Sequence, residues 1–118
     1  MPYSETQANR IREFFFDRDI VFEEKKMFMG ICFMVDGKLC CGTHTDKQSG
    51  EEQLLCRIGE EAYALAIERD DSLPMDMKGR EMKGYILVTE DGFRKPKDLA
   101  YWLQLCLDFN PQAKRSKK

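Results

Sequence analysis

The chain has 118 residues, 42% of them hydrophobic and 34% charged, with a formal net charge of −2. That length holds one domain of ~100–200 residues and no second one, and it buries roughly two-thirds of its unfolded surface without help from disulfides or metals. The composition excludes a disordered chain, and a charge this near zero excludes bulk electrostatic attraction to nucleic acid or membranes.

Ser4 and Gln7 have the spacing of a capping box, and Ala8, Ile11, Phe14 and Phe15 follow at helical spacing. A first helix is expected from about Glu5 to Arg18. Ile20 to Phe22, β-branched and aromatic, leaves it for a strand. Ile31 to Val35 then runs through Asp36-Gly37 into Lys38 to Gly42. Asp-Gly between two apolar runs predicts a hairpin with a type I′ turn, because both central residues need positive φ. A two-residue loop sets the register: Val35 opposite Lys38, Met34 opposite Leu39, Phe33 opposite Cys40, Cys32 opposite Cys41. One face then carries Ile31, Phe33, Val35 and Cys40, and the other Cys32, Met34, Leu39 and Cys41. Both are apolar, so the second face needs a cover, either a helix or another chain.

Thr43 to Glu52 is polar and reads as a loop; Gln53 to Ile58 reads as a strand. Gly59-Glu60-Glu61 opens a second helix to about Arg69, its glutamates suiting the positive end of the helix dipole. Asp70 to Pro74 breaks it, Met75 to Met77 is a short extended piece, and Lys78-Gly79-Arg80 a turn. Gly84 to Thr89 is a strand ended by Glu90-Asp91-Gly92. Pro96 opens a last helix with Leu99, Trp102, Leu103 and Cys106 as its apolar stripe, and Pro111 stops it. No internal repeat or interdomain linker interrupts this order. The expected fold is a two-layer α+β domain over residues 1–111, an antiparallel sheet with a central hairpin packed by about three helices. Residues 112–118 form a basic, flexible tail.

In that tail Lys114, Arg115, Lys117 and Lys118 leave the remainder with 15 basic against 21 acidic residues, a body of −6. A basic tail can grip phosphates, although a frayed, solubilising terminus needs no such role. The start, Met-Pro-Tyr-Ser-Glu, has neither the basic nor the apolar stretch of a secretory signal. The longest apolar run, Met27 to Val35, is about half of a membrane span. The expected setting is therefore the cytoplasm, without membrane association and with Cys32, Cys40, Cys41, Cys56 and Cys106 as free, buried thiols.

Cys41 and His44 have a Cys-x-x-His spacing with Cys32 and Cys40 near by, but the expected register puts Cys40 on the reverse face from Cys32 and Cys41, so one hairpin cannot aim all three at one ion. Cys32 and Cys41, by contrast, would be close cross-strand neighbours, near enough for a disulfide in an oxidising setting. A Cys41–His44 nucleophilic dyad is opposed by strand alternation, which sends the two to opposite faces. No catalytic residue, metal ligand or cofactor is expected. Lys25, Lys26, Arg57, Arg80 and Lys83 would converge as a basic patch if their strands were neighbours, with Phe28 and Tyr85 interleaved as in phosphate or nucleic-acid binding.

In order, the strands read Lys25-Lys26-Met27-Phe28-Met29-Gly30, the Cys-rich hairpin, Arg57-Ile58-Gly59-Glu60-Glu61, and Gly79-Arg80-Glu81-Met82-Lys83-Gly84-Tyr85. This resembles the N-terminal domain of the TfoX/Sxy family of bacterial competence regulators, with its KKMFGG-like, RVGPE-like and RPMKGF-like segments in order. Met29 stands for a glycine of that pattern, and Glu60 and Glu81 each for a proline. The resemblance reaches to about Phe109. It implies a two-layer α+β fold similar to secretion chaperones, and transcription-related work, since full-length members assist the cyclic-AMP receptor protein at competence promoters. Those members carry a helical C-terminal domain, which would begin about where this chain ends.

The leading expectation is a non-enzymatic module that binds a protein such as a transcription factor, or forms a homodimer through its hairpin or sheet surface. The alternative is a nucleic-acid accessory protein using the five basic residues and the tail. An enzyme built on Cys41 and His44 is the remote third.

Overall fold

The computed structural model describes residues 5–27, 30–45, 49–70, 72–77 and 80–112, with the side chains at 5, 27, 75–77 and 80–83 left aside. The chain runs α1 (Glu5–Asp17), β1 (Glu23–Met27), β2 (Gly30–Val35), β3 (Lys38–Thr45), β4 (Glu52–Arg57), α2 (Gly59–Ala66), β5 (Ser72–Met77), β6 (Arg80–Val88), α3 (Glu90–Phe93), α4 (Pro96–Phe109) and a 3₁₀ turn, Asn110–Gln112. The six strands form one antiparallel sheet in the order β1-β2-β3-β4-β6-β5. This is the expected α+β class. Ser4, Lys78-Gly79 and residues 113–118, which carry the expected capping box, turn and basic tail, lie outside the described residues.

The hairpin turns as its sequence requires, with φ of 55° at Asp36 and 74° at Gly37. Val35 pairs with Lys38 and Met34 with Leu39, as the loop length demands. The expected register then fails. Between Phe33 and Met34 it shifts, so that Phe33 faces Cys41 and Cys32 faces Gly42. Cys40 is the extra residue of a β-bulge. The bulge turns Cys41 over to the side of Cys40, so Cys32 and Cys41 are neither partners nor on the same face. The expected cross-strand pairing of these two cysteines is thereby excluded.

Four other expectations are corrected. Ile20 to Phe22 is not a strand; the sheet begins at Glu23. Thr43 to Thr45 and Glu52 belong to β3 and β4 rather than to a loop. Polar residues hold the ladder there: the Ile31 N–H donates to Thr43 Oγ1 at 3.0 Å, and His44 Nδ1 lies 3.0 Å from Gln53 Oε1. Asp70–Pro74 does not simply break the chain, because Ser72 to Pro74 are paired in β5, an edge strand where a missing N–H is tolerated. Glu90-Asp91-Gly92, read as ending a strand, belongs to the short helix α3 (Glu90–Phe93).

All the helices lie on one face. From α1, Ala8, Ile11, Phe14 and Phe15 join Ala66 of α2, Phe93 of α3 and Leu99, Trp102, Leu103 and Cys106 of α4 over the sheet residues Ile31, Phe33, Cys40, Cys41, Leu54, Cys56, Ile86 and Val88. Phe15, Phe22 and Phe33 form a triangle of rings with centroids 5.3–6.1 Å apart, joining α1 to the sheet. Arg12 clasps Glu24 through two bonds of 2.7 and 2.8 Å, and Arg10 donates to the carbonyls of Phe93 and Arg94 at 2.9 Å. At the far end Lys38, although a lysine, is buried and donates to the Asn110 carbonyl at 3.0 Å. Asn110 Nδ2 in turn donates to the Val35 carbonyl at 3.2 Å.

The reverse face holds a second, smaller cluster of Cys32, Met34, Leu39, Leu55 and Leu87, with Tyr85 against it. Every member comes from a strand, and all five core residues are buried within the monomer. The cover expected from a helix is absent among the described residues.

Candidate functional site

Two of the motif segments, residues 57–61 and the one ending at Tyr85, meet at one backbone crossing. Arg57 ends β4, and the Ile58 N–H donates to the Gly84 carbonyl at 2.9 Å. Gly59 has φ 86° and Gly84 φ 92°, a region side chains other than hydrogen rarely enter. They also abut: a Cβ on Gly84 would lie 3.4 Å from the Gly59 carbonyl carbon, and one on Gly59 would lie 2.5 Å from the Phe109 ring. These motif glycines let α2 leave β4 while crossing β6. Their role is geometric.

The basic residues do not form one patch. Lys25 and Lys26 are exposed on the edge strand β1, where Lys25 pairs with Cys32 and Lys26 with Ile31, so their side chains point to opposite faces. Arg57 is half-buried on β4, with Tyr85 at 5.3 Å and Phe109 at 5.9 Å from its guanidinium carbon. Two strands separate β1 from β4, about 14 Å at the usual strand spacing. Arg80 and Lys83 lie in β6, next to β4, but their side chains are outside the described residues, as is Phe28.

The cysteines sort by face. Cys40, Cys41, Cys56 and Cys106 belong to the helix-covered core, and Cys32 to the reverse cluster. All five are free thiols. The Cys106 and Cys41 thiols donate to the Cys40 sulfur, which lowers its pKa against the opposing effect of burial. Burial pushes Cys41 and Cys106 up, and Cys32 up to about 12. Cys41 points into the core while His44 sits on the other face beside Gln53, so the two cannot act as a nucleophile and its base. Among the described residues no group of three or more His, Cys, Asp or Glu side chains is placed to hold a metal ion, and no helix is long and apolar enough to cross a membrane.

What the sequence did not suggest is a groove between α2 and α4. The start of α2 lies beside the end of α4, and the end of α2 beside the middle of α4. One end of the groove is a cavity of about 450 Å³ lined by residues that include Glu60, Glu61, Ala62, Leu105, Asp108 and Phe109. It continues into a second of about 240 Å³, where Ala62 and Leu105 recur and Leu65, Ala66, Arg69 and Tyr101 complete the lining. Alanines on α2 keep the floor low. Leu65 and Tyr101 stand on its two walls, 76% and 47% exposed. Arg69 closes one end, its guanidinium carbon 5.3 Å from the Tyr101 ring and 5.0 Å from the Trp102 ring. Glu60, Glu61 and Asp108, all exposed, close the other. Neither half was legible as a site: Leu65 and Tyr101 are 36 residues apart and meet only once both helices are laid on the sheet.

No curated protein and no solved structure matches the chain. The sequence profile described as "TfoX N-terminal domain" does, over residues 21–110, from just after α1 to the end of α4. The matched span covers more than half of the chain and contains the whole sheet, the hairpin and the Gly59–Gly84 crossing, so the chain belongs to the TfoX N-terminal domain family.

Proposed function

We propose that the chain is a non-enzymatic interaction module that works by binding another protein, and that the transcription-related role implied by its family resemblance is exercised through that contact. The observation that carries this reading is the α2–α4 groove. Large apolar side chains standing side by side in solvent mark interaction surfaces more than packing, and here Leu65 and Tyr101 flank an apolar floor. The separation of Lys25 and Lys26 from Arg57 weighs against a nucleic-acid footprint formed by all five basic residues.

The test is affinity capture from lysate with the native chain and with Leu65→Asp. Leu65 is mostly exposed, so the substitution should cost only about 1 kcal/mol, from helix propensity and a carboxylate in the last turn of α2. A specific partner that the variant loses supports the reading. A strict monomer at high concentration that recovers no partner overturns it.

A further inference from the structure

The groove's two ends differ in charge, and that difference selects its occupant. Three exposed carboxylates, Glu60, Glu61 and Asp108, line one end, with the half-buried Arg57 against the Phe109 ring there, and Arg69 is the charged residue lining the other. A phosphate-bearing ligand would meet like charge at the wider mouth, which disfavours nucleic acid and anionic lipid in this position. The floor is long and narrow. From Tyr101 to Phe109 the α4 side spans about 12 Å, a little over two helical turns. Its narrower half, around Ala62, Ala66, Leu65, Tyr101 and Leu105, is apolar, and its wider half is mixed apolar and acidic. An apolar trough between two helices that opens onto a charged mouth fits the apolar face of a third helix with a charged end.

Resting on the proposed protein-binding role, we infer that the α2–α4 groove receives an amphipathic helix of a partner protein, its apolar face on Ala62, Leu65, Tyr101 and Leu105 and its lysine- or arginine-rich end against Glu60, Glu61 and Asp108. The apolar contacts supply affinity; the carboxylates set direction and reject acidic helices, because like charges brought together are penalised. The partner helix lies with its basic end toward the C-terminus of α4.

The test uses the full chain and two synthetic peptides of about 14 residues, long enough to hold a helix once bound. Both carry leucine at i, i+3, i+4 and i+7; one has lysine at the remaining positions, the other glutamate. Calorimetric titration should show saturable binding of the lysine peptide and at least about tenfold weaker binding of the glutamate peptide. Glu60→Lys with Glu61→Lys should weaken the lysine peptide about tenfold and improve the glutamate peptide. Leu65→Asp should abolish binding of both, with an unchanged far-ultraviolet spectrum showing that the variants are folded. Equal binding of the two peptides, binding indifferent to Leu65→Asp, or none of the lysine peptide overturns the inference. Should the peptide fail while lysate capture still yields a partner lost on Leu65→Asp, the assigned helix is wrong and the binding module stands. A partner captured equally well by the Leu65→Asp chain means that the groove is not the module's surface.

Discussion

A methyl group at position 59 would sit 2.5 Å from the Phe109 ring, on a backbone already at φ 86°. Gly59→Ala therefore meets two penalties, steric and conformational, and should cost about 2 kcal/mol or more. They can be separated. In a Phe109→Ala background the ring is gone and only the backbone strain remains, so the same substitution should cost about 1 kcal/mol, read from urea unfolding in a double-mutant cycle. Cys32 offers a second measurement. Its thiol is pushed up to about 12 by burial, against 9.0 for the free group. Above pH 9 the unfolded chain loses this proton while the folded chain keeps it. The stability the group contributes is complete below pH 9 and is lost as pH rises toward 12, by up to about 1.4 kcal/mol per pH unit. Cys32→Ala should flatten that alkaline slope in melting curves taken from pH 8 to 11, whatever its effect on stability at pH 7.

Among elements, the hairpin and the end of α4 are fastened by two side chains. Lys38 donates to the Asn110 carbonyl, and Asn110 to that of Val35. Asn110→Ala removes the second bond and should cost about 1 kcal/mol, measured by chemical denaturation. At this scale the sequence is legible where a residue type has a single physical use. Asp36-Gly37 marks its turn because few other pairs accept positive φ twice, and Pro96 marks the start of α4 because its missing N–H is not needed there. It is illegible where neighbours are chemically alike. Either cysteine of Cys40-Cys41 could face Phe33, and nothing in two identical neighbours tells which becomes the bulge. An edge strand such as β1 has little apolar alternation to read, and a four-residue helix such as α3 has too few turns to show a period. The groove is harder still, since α2 alone shows an exposed leucine and α4 alone an exposed tyrosine, each unremarked until the sheet sets them face to face.

For the whole molecule, the family match begins at residue 21, yet α1 lies before it and supplies Ala8, Ile11, Phe14 and Phe15 to the main core. Phe15 packs tilted against Phe22 and edge-on against Phe33, and Arg10 and Arg12 tie the helix to α3 and β1. Deleting residues 1–17 should therefore unfold the domain rather than trim it. Trp102, fully buried with its Nε1–H on the Gly92 carbonyl at 3.1 Å, reports the outcome, its emission moving to the red in the truncated chain.

The outer strands have a further consequence. β1 presents Glu23, Glu24, Lys25 and Lys26 in a row, and β5 carries Pro74 with a register shift just beyond it. Mixed charge on one margin and a missing donor with a kink on the other are the devices that keep open sheets from zipping together into fibrils. The sheet is thus poorly suited to growing by an added strand. The protein should stay soluble at concentrations where a flat, apolar margin would seed aggregation. Mutating Lys25 and Lys26 together to valine would remove that protection, and a rise in thioflavin fluorescence on incubation is the expected result.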